Sequence, residues 1–481
     1  MRSTTSERAG LLALAFLTLA ACGSGSGDSV LGETPTEGAL IRVVHAAADA
    51  PPVDVYVDGV PGPVFTLAYG ETSPFAPLPA GMYDFLVYAS GADPDVDDPV
   101  YTTGQLSLVT DDVVTAVAAG SLSATPGPSE FRVIPLFHDF GDPNPNEARV
   151  RVLHAGPDAP AVALDVGDDT IADYLALAPF SDTGSAGLAL PADQALQLAI
   201  LLDPGLERVL GFTIPALPDG GELFVIATGF LGNGPRGTEA FTLLAVGPEG
   251  TIGLLPQNPW IYGLHLSPDT GPVDLFVAGS AAPLASGLEF SNLTGPIQVP
   301  AGTYSLEVRT PAGALALAFD TPALEAGQAY IAAVTGYSTG RTPGLAPLAI
   351  QDALDVDEDA PTAQLRGVHA SPDAPPVDLG PLDMMGDVTP LSGWTALTFG
   401  DLSMPADGTA VPESPLAIGV AGTGDTMPLL VFDVDLEPTT RAYAFVAGTV
   451  DTGTYPGDAN VQLVAVETSV WPWISATIQP R

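Results

Sequence analysis

The sequence predicts an all-β chain of four tandem antiparallel β-sandwich modules, placed after a signal peptide and a flexible tether. Three observations carry that prediction. One histidine-centred motif occurs four times, glycine and proline are abundant (53 and 49 residues), and the apolar segments are short. Glycine and proline interrupt helices and favour short strands joined by turns.

The repeat reads IRVVHAAADAPPVD at 41–54, VRVLHAGPDAPAV at 150–162, IYGLHLSPDTGPVD at 261–274 and LRGVHASPDAPPVD at 365–378. Its histidines, His45, His154, His265 and His369, recur at intervals of 109, 111 and 104 residues and account for four of the five in the chain. A fixed period of this length marks one structural unit copied in tandem. Downstream of each histidine by 71 to 79 residues, Gly120, Gly229, Gly336 and Gly448 close similar apolar strands. A third landmark, Leu78-Pro79-Ala80-Gly81, returns as Val299-Pro300-Ala301-Gly302 and, degraded, at Leu190 and Met404. It reads as a turn feeding a strand.

Within the motif, residues 41–45 read as a strand and 46–52 as a turn. Val53 to Asp58 alternates with period two, which sets Val53, Val55 and Val57 toward the core and Asp54, Tyr56 and Asp58 outward. Six to eight such strands per module match an immunoglobulin-like sandwich. The expected division is 1–21 signal peptide, 22–38 tether, 39–146, 147–256, 257–361 and 362–481 as the four modules. With no cysteine after Cys22, no disulfide supports the modules, and each is expected to rest on its own buried apolar surface.

These landmarks resemble a bacterial family known as domain of unknown function 4397, whose members share the (R)VxHxSPDAPxVD opening. His369 to Asp378 carries it most fully. The second copy departs at Ala163, where the others have Asp54, Asp274 and Asp378, and the third departs at Tyr262, where the others have Arg. The resemblance implies secreted, often lipid-anchored proteins of β modules, and no activity.

At the N-terminus, Arg2 and Arg8 precede the apolar run Gly10 to Leu19, too short to span a bilayer as a stable helix. It ends in Leu19-Ala20-Ala21-Cys22, which resembles the bacterial lipobox and implies lipidation at Cys22. Gly23 after that cysteine implies sorting to the outer membrane. The expectation is an exported, cell-envelope protein held to the membrane by acyl chains, each buried CH₂ adding about 0.8 kcal/mol.

The chain carries 57 acidic residues against 13 arginines and no lysine, a net charge of −44. Such a surface repels phosphate backbones, so no nucleic-acid partner is expected. Expected partners are the membrane, through Cys22, and a polysaccharide or envelope protein. The loops expected to bind them are Ser121–Ser129, Leu231–Thr238, Ser338–Thr342 and Asp451–Asp458, because loops carry recognition on such scaffolds.

Each motif histidine has an aspartate four residues on: Asp49, Asp158, Asp269 and Asp373. An imidazole and a carboxylate could share a metal or form a base and its orienter. The structural alternative is an aspartate capping turn amides beside a histidine that satisfies buried carbonyls. Four equal copies, with no nucleophile recurring beside them, favour the latter. Arg42, Arg151 and Arg366 are candidates to pair with Asp54 or Asp378 across strands. Asp93, Asp95 and Asp97, and likewise Asp355, Asp357 and Asp359, are weak calcium candidates, since alternating carboxylates can converge on a hard cation. Neither run fits an EF-hand, and calcium is the one cofactor the sequence admits.

The GxGxxG at 232–237 precedes a strand instead of a helix, which rules against a dinucleotide fingerprint. His138 reads as core edge or linker, and Trp471 and Trp473 as packing for a terminal strand, with sugar stacking the weaker alternative. The sequence therefore favours a non-catalytic envelope protein whose modules project as a rod. The competing reading is a metal-dependent hydrolase using the repeated His/Asp pairs.

Overall fold

The structure, a computed structural model, describes residues 38–123, 127–338, 340–354, 362–411 and 416–481. Cys22, the signal segment and Asp355, Asp357 and Asp359 lie outside them. Among the described residues there are strands and no helix. The strands form eight sheets, two for each copy of the motif. In the first copy, Ala39–His45 lies in one sheet and Val53–Val57 in the facing one. Ile41 and Val43 of the former meet Val53, Val55, Phe85 and Val87 of the latter across a buried core. The Pro-Ala-Gly landmark is the turn between Ala76–Leu78 and Gly81–Ala89, which lie in different sheets.

The sheets are not purely antiparallel. Ala39–His45 pairs in parallel with Val113–Ala119, Glu147–His154 with Glu222–Thr228, Trp260–His265 with Ala329–Thr335, and Ala363–Ala370 with Arg441–Ala447. The reason is topological. After its first strand the chain crosses to the other sheet, comes back once as a short antiparallel strand (Ala76–Leu78 in the first module), crosses again, and only then supplies the parallel neighbour, which requires such a long connection.

Each module has a turn end, which carries the histidine turn, and a base, where the first strand starts. The first module begins at its base with Ala39 and comes back there with Phe137, which is paired to Val114. The second lies alongside it, facing the same way. Val44, Val117 and Leu136 pack against Leu153, Phe224 and Leu244 of the second module. The Ser129 hydroxyl donates to the Pro157 carbonyl between the two turn ends.

The second module then adds one more strand, Gly250–Pro256, which runs from base to turn end and pairs Pro256 with Thr242. The third module is seated on that end. Arg236, in a turn-end loop of the second module, reaches Asp352 at the base of the third over 2.6 Å. The fourth lies beside the third, joined at the turn ends by Ala459 N–H to Pro268 O at 2.9 Å. Its sheet also ends in an additional strand, Ile474–Ile478.

The arrangement is two tiers of two, which replaces the single-file rod. It also corrects the expectation that each module rests on its own core. The outer face of each first strand is buried by the neighbouring module, so Ala39–His45 is covered on both sides. One further expectation fails at Asp54. It is buried instead of facing water, and it accepts hydrogen bonds from Thr66, Ser90 and the Gly91 amide.

Candidate functional site

The four motif histidines occupy equivalent places. Each lies at the end of its first strand (His369 one residue before it), is buried, and directs Nε2 at the carbonyl six residues on: Pro51 at 3.1 Å, Pro160 at 2.8 Å, Gly271 at 3.1 Å and Pro375 at 3.1 Å. A carbonyl can only accept, so Nε2 carries the proton. Nδ1 then offers a lone pair to the chain's own backbone, toward the Ala47 and Ser267 amides at 3.4 and 3.2 Å. In His154 and His369, Nδ1 is buried with no partner among the described residues. Burial pushes all four below the usual histidine range, against the opposing pull of the carbonyl hydrogen bonds. The ring is a neutral clasp that closes the turn.

The aspartates serve different partners. Asp49 accepts from the Ser121 hydroxyl at 2.6 Å and from the Leu122 and Ser123 amides. Asp158 accepts from the Leu231 and Gly232 amides, both at 2.8 Å. Asp373 accepts from the Val450 and Asp451 amides, and Asp269 from Ser338 N and Arg341. Each loop that donates to these carboxylates directly follows a landmark glycine. Burial alone would raise Asp49, but the hydrogen bonds from Ser121, Ser123 and Leu122 outweigh it and hold the carboxyl low. Among the described residues, no hydrogen bond joins a motif histidine to its aspartate.

The landmark glycines explain why those loops can dock. Gly229 has φ of 84°, and a Cβ there would lie 2.3 Å from the Ala240 carbonyl oxygen. Gly448 (φ 116°) would meet the Asn460 oxygen at the same distance. Only glycine permits both the backbone conformation and the close approach.

The loops gather in pairs because the modules do. Arg341 bridges Asp269 of its own module and Asp458 of the fourth, lying between the rings of Tyr337 and Tyr455 at 3.8 and 4.1 Å. Of the loops singled out from sequence, 124–126 and 339 lie outside the described residues.

The arginines do not pair with Asp54 or Asp378. Arg42 donates to Thr115 and to the Gly247 and Pro248 carbonyls of the next module. Arg151 holds Asp182 at 2.9 Å and donates to Phe137 O of the module before it, and Arg366 donates to Ser403 O. In the first three copies the side chain three before the histidine points out of its own sandwich, toward the neighbouring module, while the aspartate side chains serve loops elsewhere. Asp54 was described above, and Asp378 accepts from the Ala396 and Gly424 amides. In the second copy Asp165 takes a similar part, accepting from Asp169 and Thr170.

Asp93 and Asp97 accept amides of their own turn, from Asp95 and Asp93 respectively. Among the described residues, no group of three or more His, Cys, Asp or Glu side chains could hold a metal. Sequence reasoning missed the buried interface faces. Their signal was the run Val43-Val44-His45-Ala46, which does not alternate and so marks a strand covered on both sides.

Paired sheets and a fourfold motif define a tandem-repeat protein of sandwich-like β modules. The family model described as Domain of unknown function (DUF4397) matches residues 39–165 and 259–380. That is more than half of the chain, and the chain belongs to this family. No curated protein matches it.

Proposed function

We propose that the chain is a lipid-anchored protein of the cell envelope, sorted to the outer membrane and held there through Cys22. Its tandem modules are non-catalytic and take a structural, adhesive or ligand-binding role toward a polysaccharide or another envelope protein. A surface or structural protein fits an all-β member of this family. One observation carries the non-catalytic reading. The side chains that recur in all four modules are engaged in closing the turn and fastening the loop behind it, in the same way each time. An active site would set one copy apart.

The test is His154→Ala in the full chain. It removes a buried hydrogen bond and leaves a small cavity, and should cost about 1–3 kcal/mol of stability, read as a lower thermal midpoint. Calcium and glycan binding should not change. A variant of unaltered stability that loses a ligand or a hydrolytic activity would overturn the reading. For the anchor, Cys22→Ser should abolish incorporation of radiolabelled fatty acid in a bacterial host, and labelling that persists would refute lipidation there.

A further inference from the structure

Between the two sheets of the fourth module, at its turn end, lies a cavity of about 370 Å³. Small-molecule sites typically span roughly 300–1,000 Å³. Pro375, Val377, Val420, Leu430, Val446 and Val461 wall it, and Leu429 and Val450, each more than half exposed, stand at its rim. The buried polar side chains of the lining are engaged by the chain itself. His369 directs Nε2 at Pro375 O, the Ser371 hydroxyl donates to Gly448 O, and that of Thr449 to Asp458. The one atom left over, Nδ1 of the neutral His369 ring, brings no charge.

The other modules show why the space is there. Each landmark glycine passes close to a carbonyl, and the residue after that carbonyl joins the core of its sandwich: Phe131, Phe241, Leu345 and Val461 in turn. In the second module the Phe241 ring fills the turn end so closely that a Cβ on Gly156, the counterpart of Ser371, would meet it at 2.7 Å. The fourth module carries the smallest side chain of the four at this position, and the cavity opens beside it. Surrounding structure closes only partly over such a loss, and an apolar cavity takes up apolar guests.

Charge narrows the guest further. The exposed carboxylates Asp373 and Asp451 adjoin the lining residues Ala374, Val450 and Thr452, and no Asp or Glu lines the interior. An anion is repelled at this mouth, and a cation inside would lack a counter-ion.

We propose that this cavity binds a neutral, apolar small molecule, enclosed between the sheets of the fourth module. The site depends neither on the anchor at Cys22 nor on the role given to the histidine turns, since His369 keeps its clasp on Pro375.

The test is titration of the full chain with N-phenyl-1-naphthylamine, a neutral probe that brightens in apolar surroundings. Cys22→Ser keeps attached lipid out of the measurement. The probe should saturate one site per chain and be displaced by 1-decanol. Decanoate, the same hydrocarbon with a carboxylate, should compete about tenfold less well, equivalent to about 1.4 kcal/mol. Val461→Phe installs the side chain of the first and second modules, and should abolish binding with the melting temperature unchanged or raised. Val450→Trp covers the mouth from an exposed position and decides the matter if the added ring at 461 prevents folding. It too should abolish binding. Absence of saturable fluorescence, equal competition by decanoate, or full affinity in either folded variant would each overturn the proposal.

Discussion

The face between the first and second modules and the face between the third and fourth have the same geometry and opposite chemistry. In the first pair, Arg42 and Arg151 flank His138, whose ring meets Phe224 at 4.9 Å and Phe75 at 5.8 Å. His138 bonds Thr115 at 2.7 Å, and Thr115 also accepts from Arg42. In the second pair the corresponding residue is Tyr262, stacked on Trp473 with centroids 4.6 Å apart and 15° between planes. Trp471 stands edge-on to Trp260 and Tyr262, and Tyr443 of the fourth module donates to Asp352 of the third. The position three before the histidine therefore answers to the neighbouring module. Where carbonyls and Asp182 face it, an arginine finds acceptors, with only Nη2 of Arg42 left without one among the described residues, and where two indoles face it, a tyrosine fits.

The sharpest way to break this contrast is Trp473→Ala. It empties a buried aromatic site and should destabilise the upper tier by about 3–5 kcal/mol. Hydrogen exchange should show the loss in Trp260–His265 and Arg441–Ala447, with Glu222–Thr228 little affected. Protection lost equally in both tiers would mean the faces are not separate units.

Tyr262→Arg restores the motif's commoner residue and tests whether the partner or the module sets the choice. A guanidinium against Trp471 and Trp473 lacks the acceptors that Arg42 and Arg151 enjoy, so a loss of about 2–4 kcal/mol in a denaturant titration is expected. A neutral or stabilising effect would show that the position belongs to the module after all.

A smaller effect separates the faces by pH. Burial, then the nearby charges of Arg42 and Arg151, push His138 down to about 4. Below the ordinary histidine value near 6.5 the unfolded chain takes up this proton and the folded chain does not. Stability from this group is therefore intact at neutral pH, is lost as pH falls from about 6.5 toward 4, and levels off beneath that. At pH 5 the loss is on the order of 1–2 kcal/mol. The four motif histidines shift the same way in every module, so the excess belongs to the lower tier. Exchange rates at pH 7 and 5 should rise more in Val113–Ala119 than in Ala329–Thr335, and an equal rise would rule out His138 as the source.

The local parts of this architecture were legible from residue order. The turn after His45, the inward set Val53, Val55 and Val57, and the tight glycines at 120, 229, 336 and 448 depend on neighbours and on short-range periodicity. What escaped depends on contacts far along the chain. Arg42 finds its carbonyl acceptor 205 residues away, and Trp473 donates to Tyr262 across 211. Residue order suggested only a cross-strand ion pair. Asp54 escaped for a different reason. Period-two alternation places it outward, but Ser90 and Gly91 fold over it and supply the hydrogen bonds that make burial tolerable. The departure at Tyr262 and the Trp471-Pro472-Trp473 tail are two halves of one contact, and nothing in either segment alone points to the other.

Strand number in these sheets acts as a routing rule. The sheets that contain the first strands of the modules hold four, five, four and five strands in turn. An even count delivers the chain back to the end where it came in, so the next module grows beside the last. An odd count delivers it to the opposite end, so the next module starts a new storey. The architectural period is thus a pair of modules, about twice the period of the sequence motif, and the two family matches begin at the first member of each pair. Lengthening or shortening such a protein by a single module would change its outline from tower to step, whereas whole pairs would extend it without altering its cross-section.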